Sequence, residues 1–216
     1  MASASTFAFG WLHGTDKAAR SRRDAGRYLP GLHVQTGAER AQAEFFIRDV
    51  FAAAYGARLA TLMPIVLAER DAEGGLLAAC GLRAAAEGPL FLETYLGASV
   101  ERAIGAQLGT GVARERVVEV GNLAVLPPFT ARALIASLTR HLLSGDAEWS
   151  VFTAVATLRN AFARLGVPVL RLGAARLDAL PAEDRPAWGT YYDTSPEVLA
   201  VRVRDAAHAL LARAWS

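Results

Sequence analysis

The chain carries VVEVGNLAV at residues 117–125, and this stretch is its strongest strand signal. β-Branched residues fall on both faces of its first half, which is typical of a strand buried on both sides. Pro127 and Pro128 follow, and residues 130–144 then place leucine and isoleucine at helical spacing. The pattern predicts a central strand, a turn and a helix, in that order.

The residues before this strand predict a helix and a hairpin. Thr36 and Glu39 have the spacing of a capping box, and an apolar helical face follows until Gly56. Two apolar runs, over residues 65–68 and 76–83, flank a glycine-rich turn and predict two antiparallel strands. The amphipathic helix must pack its apolar face against another element.

The remaining elements follow from the same periodicities. Strands are predicted over residues 90–96, 149–153, 167–172 and 198–203, and helices over residues 99–108, over residues 158–165 and at the C-terminal end. Ser99 is the predicted N-cap of the first of these helices. The order of the elements predicts an α/β fold in which a central mixed sheet has helices on both faces.

The composition limits the protein classes to which the chain can belong. The 216 residues are 53% hydrophobic and 20% charged, with a mean hydropathy of +0.23, which excludes a largely disordered chain. The longest apolar runs are far shorter than the roughly 18–20 residues that span a bilayer, so no transmembrane segment is predicted. The start lacks the basic and apolar regions of a signal peptide, which predicts a cytoplasmic protein.

Metal and disulfide chemistry are not expected. Cys80 is the single cysteine, and the four histidines have no spacing that would bring them to one metal ion. The sequence also lacks a Gly-x-Ser-x-Gly elbow and a Walker-type phosphate loop. Direct attack of a substrate amine on a thioester requires neither a protein nucleophile nor a metal, so this chemistry stays open.

Residues 1–35 are predicted to be a basic N-terminal extension, and residues 36–216 a single folded domain. Four arginines crowd between residues 20 and 27. A solvated surface arm explains them, and binding to an anionic phosphate tail or to RNA is the alternative. No aromatic platform interleaves with these arginines, which argues against nucleic acid as a partner.

Glu119 is the leading catalytic candidate. Strand alternation places it on one face with Val117, Gly121 and Leu123, in the middle of a buried strand. A carboxylate at such a position is costly unless it is paired or borders a cleft. Glu119 is therefore predicted either to act as a general base with a raised pKa or to form a buried ion pair with an arginine such as Arg83.

Asn122, Glu93 and Tyr95 are further candidates near this strand. Asn122 could hold a substrate carbonyl or amide, or it could bridge a bulge between splayed strands. Glu93 and Tyr95 share one face of the predicted strand over residues 90–96 and are expected to face the same cleft as Glu119, where two carboxylates would divide acid and base roles. A solvent-facing polar edge is the alternative for that pair.

The segment LAVLPPFTARALIASL at residues 123–138 resembles the acyl-CoA-binding segment of the GNAT superfamily of N-acyltransferases. In that superfamily a Leu-Ala-Val strand end precedes an Arg/Gln-x-x-Gly-x-Gly/Ala turn, whereas this chain has alanines where the glycines would stand. Their Cβ atoms would hinder a close backbone approach to phosphate. The resemblance implies donor binding at six positions: Leu123, Val125, Thr130, Ala131, Arg132 and Ala133.

Two families with GNAT-like folds resemble longer parts of the chain. Acyl-homoserine-lactone synthases are similar in LLAACGLR at residues 76–83, EGPLFL at residues 87–92 and VEVGNLAV at residues 118–125. The thermostable hemolysin family is similar in FLETYL at residues 91–96, VEVGNLA at residues 118–124, LRNAFARLG at residues 158–166 and WGTYY at residues 188–192. These likenesses imply a GNAT-like acyltransferase fold.

The resemblance also implies a reaction. The donor would be an acyl-CoA or acyl-carrier-protein thioester, and the acyl group would pass to an amine or hydroxyl of a small acceptor. Tyr95, Arg83 and Tyr192 are the predicted substrate-binding residues. An aminoacyl-tRNA donor is a variant of the same reaction, which the basic extension makes conceivable. A small acceptor and a carrier protein are therefore the expected partners.

The protonation of the leaving thiolate is a separate question. In many GNAT acetyltransferases a tyrosine supplies this proton, and the matching position here is Phe162, which has no proton to give. Tyr191 and Tyr192 are the available hydroxyls. Aromatic packing beside Trp188 is the alternative explanation for both tyrosines.

Two other function classes remain open. The hemolysin description suggests a membrane-active protein, and residues 202–215 combine basic and apolar side chains that would permit shallow membrane contact. No export signal, spanning segment or strongly cationic amphipathic helix in the sequence supports this alternative. A non-catalytic binding module on a GNAT fold is the third class, because the donor-binding turn is altered and Phe162 replaces tyrosine.

Overall fold

A computed structural model of the protein describes residues 31–126 and 131–212. Three predicted features lie outside this part of the chain. They are the arginines between residues 20 and 27, the turn residue Thr130 with the residues just before it, and the last residues of the C-terminal basic and apolar run.

Within these described residues, seven strands form one sheet. They are β1 (His33–Val34), β2 (Ile65–Arg70), β3 (Leu76–Ala84), β4 (Val117–Val125), β5 (Trp149–Ala154), β6 (Leu170–Ala174) and β7 (Glu197–Arg202). Their order across the sheet is β1-β2-β3-β4-β5-β7-β6, with β4 and β5 parallel and the other neighbours antiparallel. The predicted hairpin and central strand are thus confirmed, and β1 lies within the predicted extension.

Six α-helices in the described part of the chain cover the two faces of the sheet. They are α1 (Gly37–Tyr55), α2 (Glu93–Leu96), α3 (Val100–Leu108), α4 (Ala131–Leu143), α5 (Ala156–Leu165) and α6 (Val203–Ala212). The first three pack on one face and the last three on the other, which confirms the predicted architecture. Within residues 31–126 and 131–212, none of these helices combines the length and the apolar character that crossing a membrane requires.

The predicted N-caps of α1 and α3 are wrong in their chemistry. Thr36 and Ser99 precede these helices as expected, but neither side chain bonds to the backbone of the helix it precedes. The Ser99 hydroxyl donates instead to the carboxylate of Glu101, at 2.5 Å. The predicted C-terminal end of α1 is confirmed, since Gly56 adopts the left-handed conformation with φ of 65°.

The predicted strand over residues 90–96 is also wrong. These residues form a turn and the short helix α2. Two backbone N–H groups of the turn donate to the carboxylate of Glu119, at 2.9 and 3.1 Å, so they are not available to a neighbouring strand. Glu93 and Tyr95 consequently do not share a strand face.

A bulge interrupts β4 at Asn122. Between Gly121 and Ala124, β4 has one residue more than the facing part of β3. Asn122 adopts the left-handed conformation, with φ of 52°, and its Oδ1 accepts a bond from the N–H of Met63 at 3.3 Å. Asn122 therefore lies in a bulge, as one of its two interpretations expects, but its side chain bonds to the loop before β2 and does not bridge two strands.

The bulge reverses the alternation of side chains along β4. Ala124 packs on the α1 face of the sheet, whereas Leu123 and Val125 pack with the core that α4, α5 and α6 cover. Glu119 lies on the α1 and α2 face, where the turn that leads into α2 binds it. The prediction that Glu119 and Leu123 share a face is therefore wrong, because the extra residue shifts the period by one.

Candidate active site

The strands β4 and β5 separate where the bulge begins. Residues 117–120 pair with residues 149–152 in parallel register, and the pairing between the two strands stops there. The rest of β4 continues its ladder with β3 as far as Val125, so its edge toward β5 is open within the part of the chain that the structure describes. The two strands thus splay apart and leave a cleft at the C-terminal end of β4. An open strand edge of this kind can bond to an extended ligand.

A cavity of about 100 Å³ lies in this cleft. Leu123 from β4, Ala131 from α4 and Thr153 from β5 contribute to its wall. Glu119 and Tyr95 also line it. The cavity therefore joins the open strand edge to the buried carboxylate, and we name it the cleft cavity.

Glu119 is held by the backbone of the turn before α2. Its side chain lies on the sheet with only 3% of the residue exposed. Its Oε2 accepts the N–H of Phe91 at 2.9 Å, and its Oε1 accepts the N–H of Leu92 at 3.1 Å. Burial raises the pKa of Glu119 to about 7, although the two N–H donors and the charge of Arg83 each lower it. A carboxyl with this pKa can accept a proton near neutral pH.

Arg83 faces Glu119 across the β3–β4 ladder. The two residues are direct partners in the register, and the positive charge of Arg83 lowers the pKa of Glu119. Their charged groups nevertheless form no ion pair within 4 Å in the described part of the chain. Arg83 donates instead from Nη1 to the carbonyl of Pro89, at 3.2 Å. The buried ion pair considered from the sequence does not form.

Glu93 lies outside the cleft cavity, where hydrogen bonds and an ion pair hold its carboxylate. Its carboxylate accepts the N–H groups of Leu90 and Val100, at 2.8 and 2.7 Å, and pairs with Arg114 at 2.5 Å. Burial raises the pKa of Glu93, but these bonds outweigh burial and leave the pKa below its usual value. The expectation that Glu93 and Glu119 line one pocket is wrong, because Arg114 holds the Glu93 side chain elsewhere.

Aromatic residues close the end of the cleft cavity beside Glu119. The hydroxyls of Tyr95 and Tyr192 bond to each other, and burial raises the pKa of both, that of Tyr192 to about 12. The ring of Trp188 lies 5.5 Å from that of Tyr192 and 5.4 Å from that of Tyr191. Aromatic packing beside Trp188 is thus confirmed. Tyr95 and Tyr191 line the cleft cavity, whereas Tyr192 supports Tyr95 from outside it.

A second cavity, of about 300 Å³, lies next to the cleft cavity. We name it the outer cavity. Arg58 and Arg83 line it with apolar side chains from the loop after α1 and the turn before α2. The walls of the two cavities share four residues: Met63, Phe91, Asn122 and Trp188.

Met63 lies over a pair of glycines in the sheet. Gly81 of β3 and Gly121 of β4 are register partners. A Cβ atom on Gly81 would lie 2.6 Å from the Met63 Cβ, and one on Gly121 would collide with the Met63 methyl group. The missing side chains therefore make the space in which Met63 separates the two cavities.

The predicted donor-binding residues fall into three groups. Leu123 and Ala131 line the cleft cavity. Arg132 is exposed in the first turn of α4, which also contains Ala133, whereas the side chain of Val125 is 2% exposed in the core. Thr130 lies outside the described residues.

Phe162 does not contribute to the cleft cavity. Its ring stacks on Phe152, with the centroids 5.0 Å apart, and packs in the core between the sheet and α5. Of the two tyrosines considered as proton donors, Tyr191 is the one that lines the cleft cavity.

A sequence model of the thermostable hemolysin family matches residues 33–207. The chain belongs to the thermostable hemolysin family. No curated protein sequence matches it. The sequence likeness to this family, given above on short segments, thus extends over most of the described fold.

Solved structures show which fold this family member has. FeeM, an N-acyl amino acid synthase from uncultured soil microbes, is similar with a TM-score of 0.58 and 16% identity, over 86% of this chain and 97% of FeeM. The AHL synthase LasI is similar with a TM-score of 0.55 and 12% identity, over 84% of this chain and 95% of LasI. The structure of BjaI, a CoA-dependent acyl-homoserine lactone synthase, with SAM and isopentyl-CoA is similar with a TM-score of 0.52 and 15% identity. The similarity covers 85% of this chain and 89% of BjaI. The fold is that of GNAT-like acyltransferases.

Sequence reasoning missed the residues that separate and shape the cavities. Met63 and Arg58 belong to the loop between α1 and β2, which has no periodic pattern. The signal that could have indicated Met63 is the pair Gly81 and Gly121, because glycine inside a strand often marks a close approach of another group.

Proposed function

We propose that this thermostable hemolysin family member is an acyltransferase. It takes the acyl group of a pantetheine thioester, carried by CoA or by an acyl carrier protein, to the amine or hydroxyl of a small acceptor. The observation that carries the proposal is the open β4 edge leading directly to the buried carboxylate of Glu119. The acyltransferase fold of the similar structures supports it.

The chemistry requires a group that accepts a proton beside the thioester. We assign this role to Glu119, because it lines the cleft cavity and its raised pKa lets it act near neutral pH. The acceptor nitrogen attacks the thioester carbonyl carbon, a C–N bond forms and the C–S bond breaks. Glu119 takes the proton that the nitrogen loses, and the departing sulfur leaves as the thiol after receiving a proton. A hydroxyl acceptor follows the same course through its oxygen.

The neighbouring residues support this step in different ways. Tyr95 and Asn122 line the cleft cavity, so we assign them contacts to the thioester or the acceptor. Glu93 is a positioning residue, because its bonds hold the turn whose N–H groups bind Glu119. Tyr192 acts through the hydroxyl of Tyr95.

The donor is proposed to lie along β4 and the start of α4. The pantetheine arm would pass Leu123 and Ala131, which line the cleft cavity. The pyrophosphate of CoA would lie at the first turn of α4, where backbone N–H groups favour an anion and the exposed Arg132 adds a positive charge. Thr130 and Ala133 belong to the same proposed site, as does the backbone of Val125.

The test is amine-dependent thiol release by the purified full chain. Acyl-CoA thioesters of several chain lengths are each incubated with a mixture of small amines, and the free thiol and the acylated product are measured. We expect thiol release that depends on both the amine and Glu119. The matched control is Glu69→Gln, since Glu69 is also a buried strand carboxylate but binds Ser137 away from both cavities. Thiol release in none of the combinations, with acyl-CoA or acyl-carrier-protein donors, would contradict the proposal.

The family name calls for a direct check of membrane activity. Vesicles loaded with a dye and made of neutral and anionic lipids are mixed with the same protein preparation. The acyltransferase proposal expects no leakage at sub-micromolar protein in the absence of a thioester. Lysis under these conditions, together with no thiol release, would favour a membrane-active protein instead.

A further inference from the structure

Arg83 is a half-buried cation without a carboxylate partner in the described part of the chain. An arginine side chain offers five N–H donors. Among residues 31–126 and 131–212, its one side-chain bond is the donation from Nη1 to the carbonyl of Pro89. Arg83 therefore has both the charge and the free donors to bind an anion.

The surroundings of Arg83 make the outer cavity selective for such an anion. Apolar side chains, among them Leu59, Leu62 and Trp188, form much of its wall. The charged residues of the wall are Arg83, Arg58 and Asp184, so positive charge exceeds negative charge by one. A ligand with a carboxylate and an apolar body matches this lining.

The position of Arg83 relative to Glu119 fixes where the reacting group of the ligand would lie. The two residues are direct partners on β3 and β4, and the Cβ atoms of such partners lie about 4.5–5.5 Å apart. Phe91 belongs to the walls of both cavities, and its N–H binds Glu119. A carboxylate bound by Arg83 thus places the adjoining atoms of the ligand near Glu119.

We propose that Arg83 binds the carboxylate of the acyl acceptor and that the acceptor is an α-amino acid with an apolar side chain. Such a molecule carries its carboxylate and its amine on one carbon, which suits a cation and a base on neighbouring strands. The apolar side chain fills the outer cavity. This inference rests on the proposed function, because it takes the outer cavity as the acceptor site.

The reaction then yields an N-acyl amino acid and a free thiol. The ammonium group first loses one proton to solvent. The neutral nitrogen attacks the thioester carbon, the C–N bond forms and the C–S bond breaks. The proton that the nitrogen gives up passes through Glu119 to the departing sulfur, so that Glu119 is ionised again at the end.

The experiment measures binding of the acceptor alone, by titration calorimetry without any thioester. Phenylalanine is compared with phenethylamine, and leucine with isopentylamine, because each pair differs only by the carboxylate. We expect each amino acid to bind at least tenfold more tightly than its amine. Arg83→Gln should weaken amino acid binding at least tenfold and leave amine binding unchanged. Arg102→Gln, which removes an exposed arginine of α3 outside both cavities, should change neither.

Arg83→Lys is the second variant, in case Arg83→Gln does not fold. It keeps the charge but loses the bidentate geometry, so it should retain weakened amino acid binding. Equal binding of amino acid and amine, or binding of neither, overturns the inference. Thiol release with phenethylamine as good as with phenylalanine also overturns it while leaving acyl transfer intact. Arg83-dependent amino acid binding with no thiol release upholds the carboxylate site and contradicts acyl transfer.

Discussion

Glu119→Gln separates a catalytic carboxylate from a structural one. The amide has the same size but a single acceptor oxygen, whereas both oxygens of the carboxyl group accept a bond, one from Phe91 and one from Leu92. The hydroxyl oxygen of the protonated form keeps acceptor capacity, so this difference also holds below the pKa. One of these two N–H groups therefore loses its acceptor, and an unpaired buried donor costs about 1–3 kcal/mol. For a chain of this size each kcal/mol lowers Tm by about 2–4 °C.

The pH changes this comparison in a predictable direction. Burial raises the pKa of Glu119 from 4.5 to about 7. Between these two values the folded protein keeps a proton that the unfolded chain has lost, so wild-type stability from this group is full below about pH 4.5 and falls as the pH rises to about 7. The shift corresponds to a loss on the order of 3 kcal/mol. The glutamine of the variant cannot titrate, so the variant does not lose this stability as the pH rises.

The two effects together define the measurement. Thermal unfolding should show the variant to be less stable than wild type at pH 5 and about as stable at pH 8. Turnover is then compared at pH 8, where folding does not differ, and a lost general base should lower the rate by about 10²–10⁴. A normal rate at pH 8 would refute the assignment of Glu119 as the base. Other carboxylates, such as Glu93 with its lowered pKa, stabilise the fold as the pH rises, so the quantity to follow is the stability of wild type minus that of the variant. A difference that does not fall between pH 4.5 and pH 7 would refute the reasoning from burial.

Three further predictions follow from the packing around the site. Gly121→Ala forces a Cβ atom into Met63 and should lower stability by about 1–3 kcal/mol. Thermal unfolding compares it with Gly111→Ala, where the new Cβ atom meets open space, and equal stability of the two variants would contradict the prediction. Met63→Ala removes the side chain between the two cavities, so the variant should accept thioesters with longer acyl chains than wild type does. If thiol release depends on acyl chain length in the same way in both proteins, Met63 does not limit the length. Glu93→Ala leaves two backbone N–H groups without their acceptor and removes one of the two carboxylates that pair with Arg114. It should lower stability by about 1.5–3 kcal/mol or more, and an unchanged midpoint of urea unfolding would count against the positioning role.

Much of the fold could be predicted because it depends on short-range periodicity. The strand over residues 117–125 and the hairpin before it are marked by β-branched residues and by a glycine-rich turn, and local patterns of this kind determine elements without knowledge of their neighbours. The position of Glu119 within a buried strand was likewise enough to predict an unusual carboxylate.

The failures have a common physical cause, which is contact between residues far apart in the chain. The turn over residues 90–96 resembles a strand in its pattern, but Glu119 binds its backbone from 27 and 28 residues away. Met63 is placed by Asn122, 59 residues away. No local periodicity encodes either contact, so periodicity alone predicts neither the turn that binds Glu119 nor the position of Met63.

The bulge at Asn122 has a consequence for how sequences of this family are compared. Because β4 has one residue more than β3 between Gly121 and Ala124, deleting Asn122 would leave a regular strand in which Leu123 and Val125 keep their present face. What such a deletion would remove is the acceptor of the Met63 N–H. A relative that is one residue shorter at this point can thus keep the faces of its strand end, but it needs another anchor for the residue that lies between the two cavities.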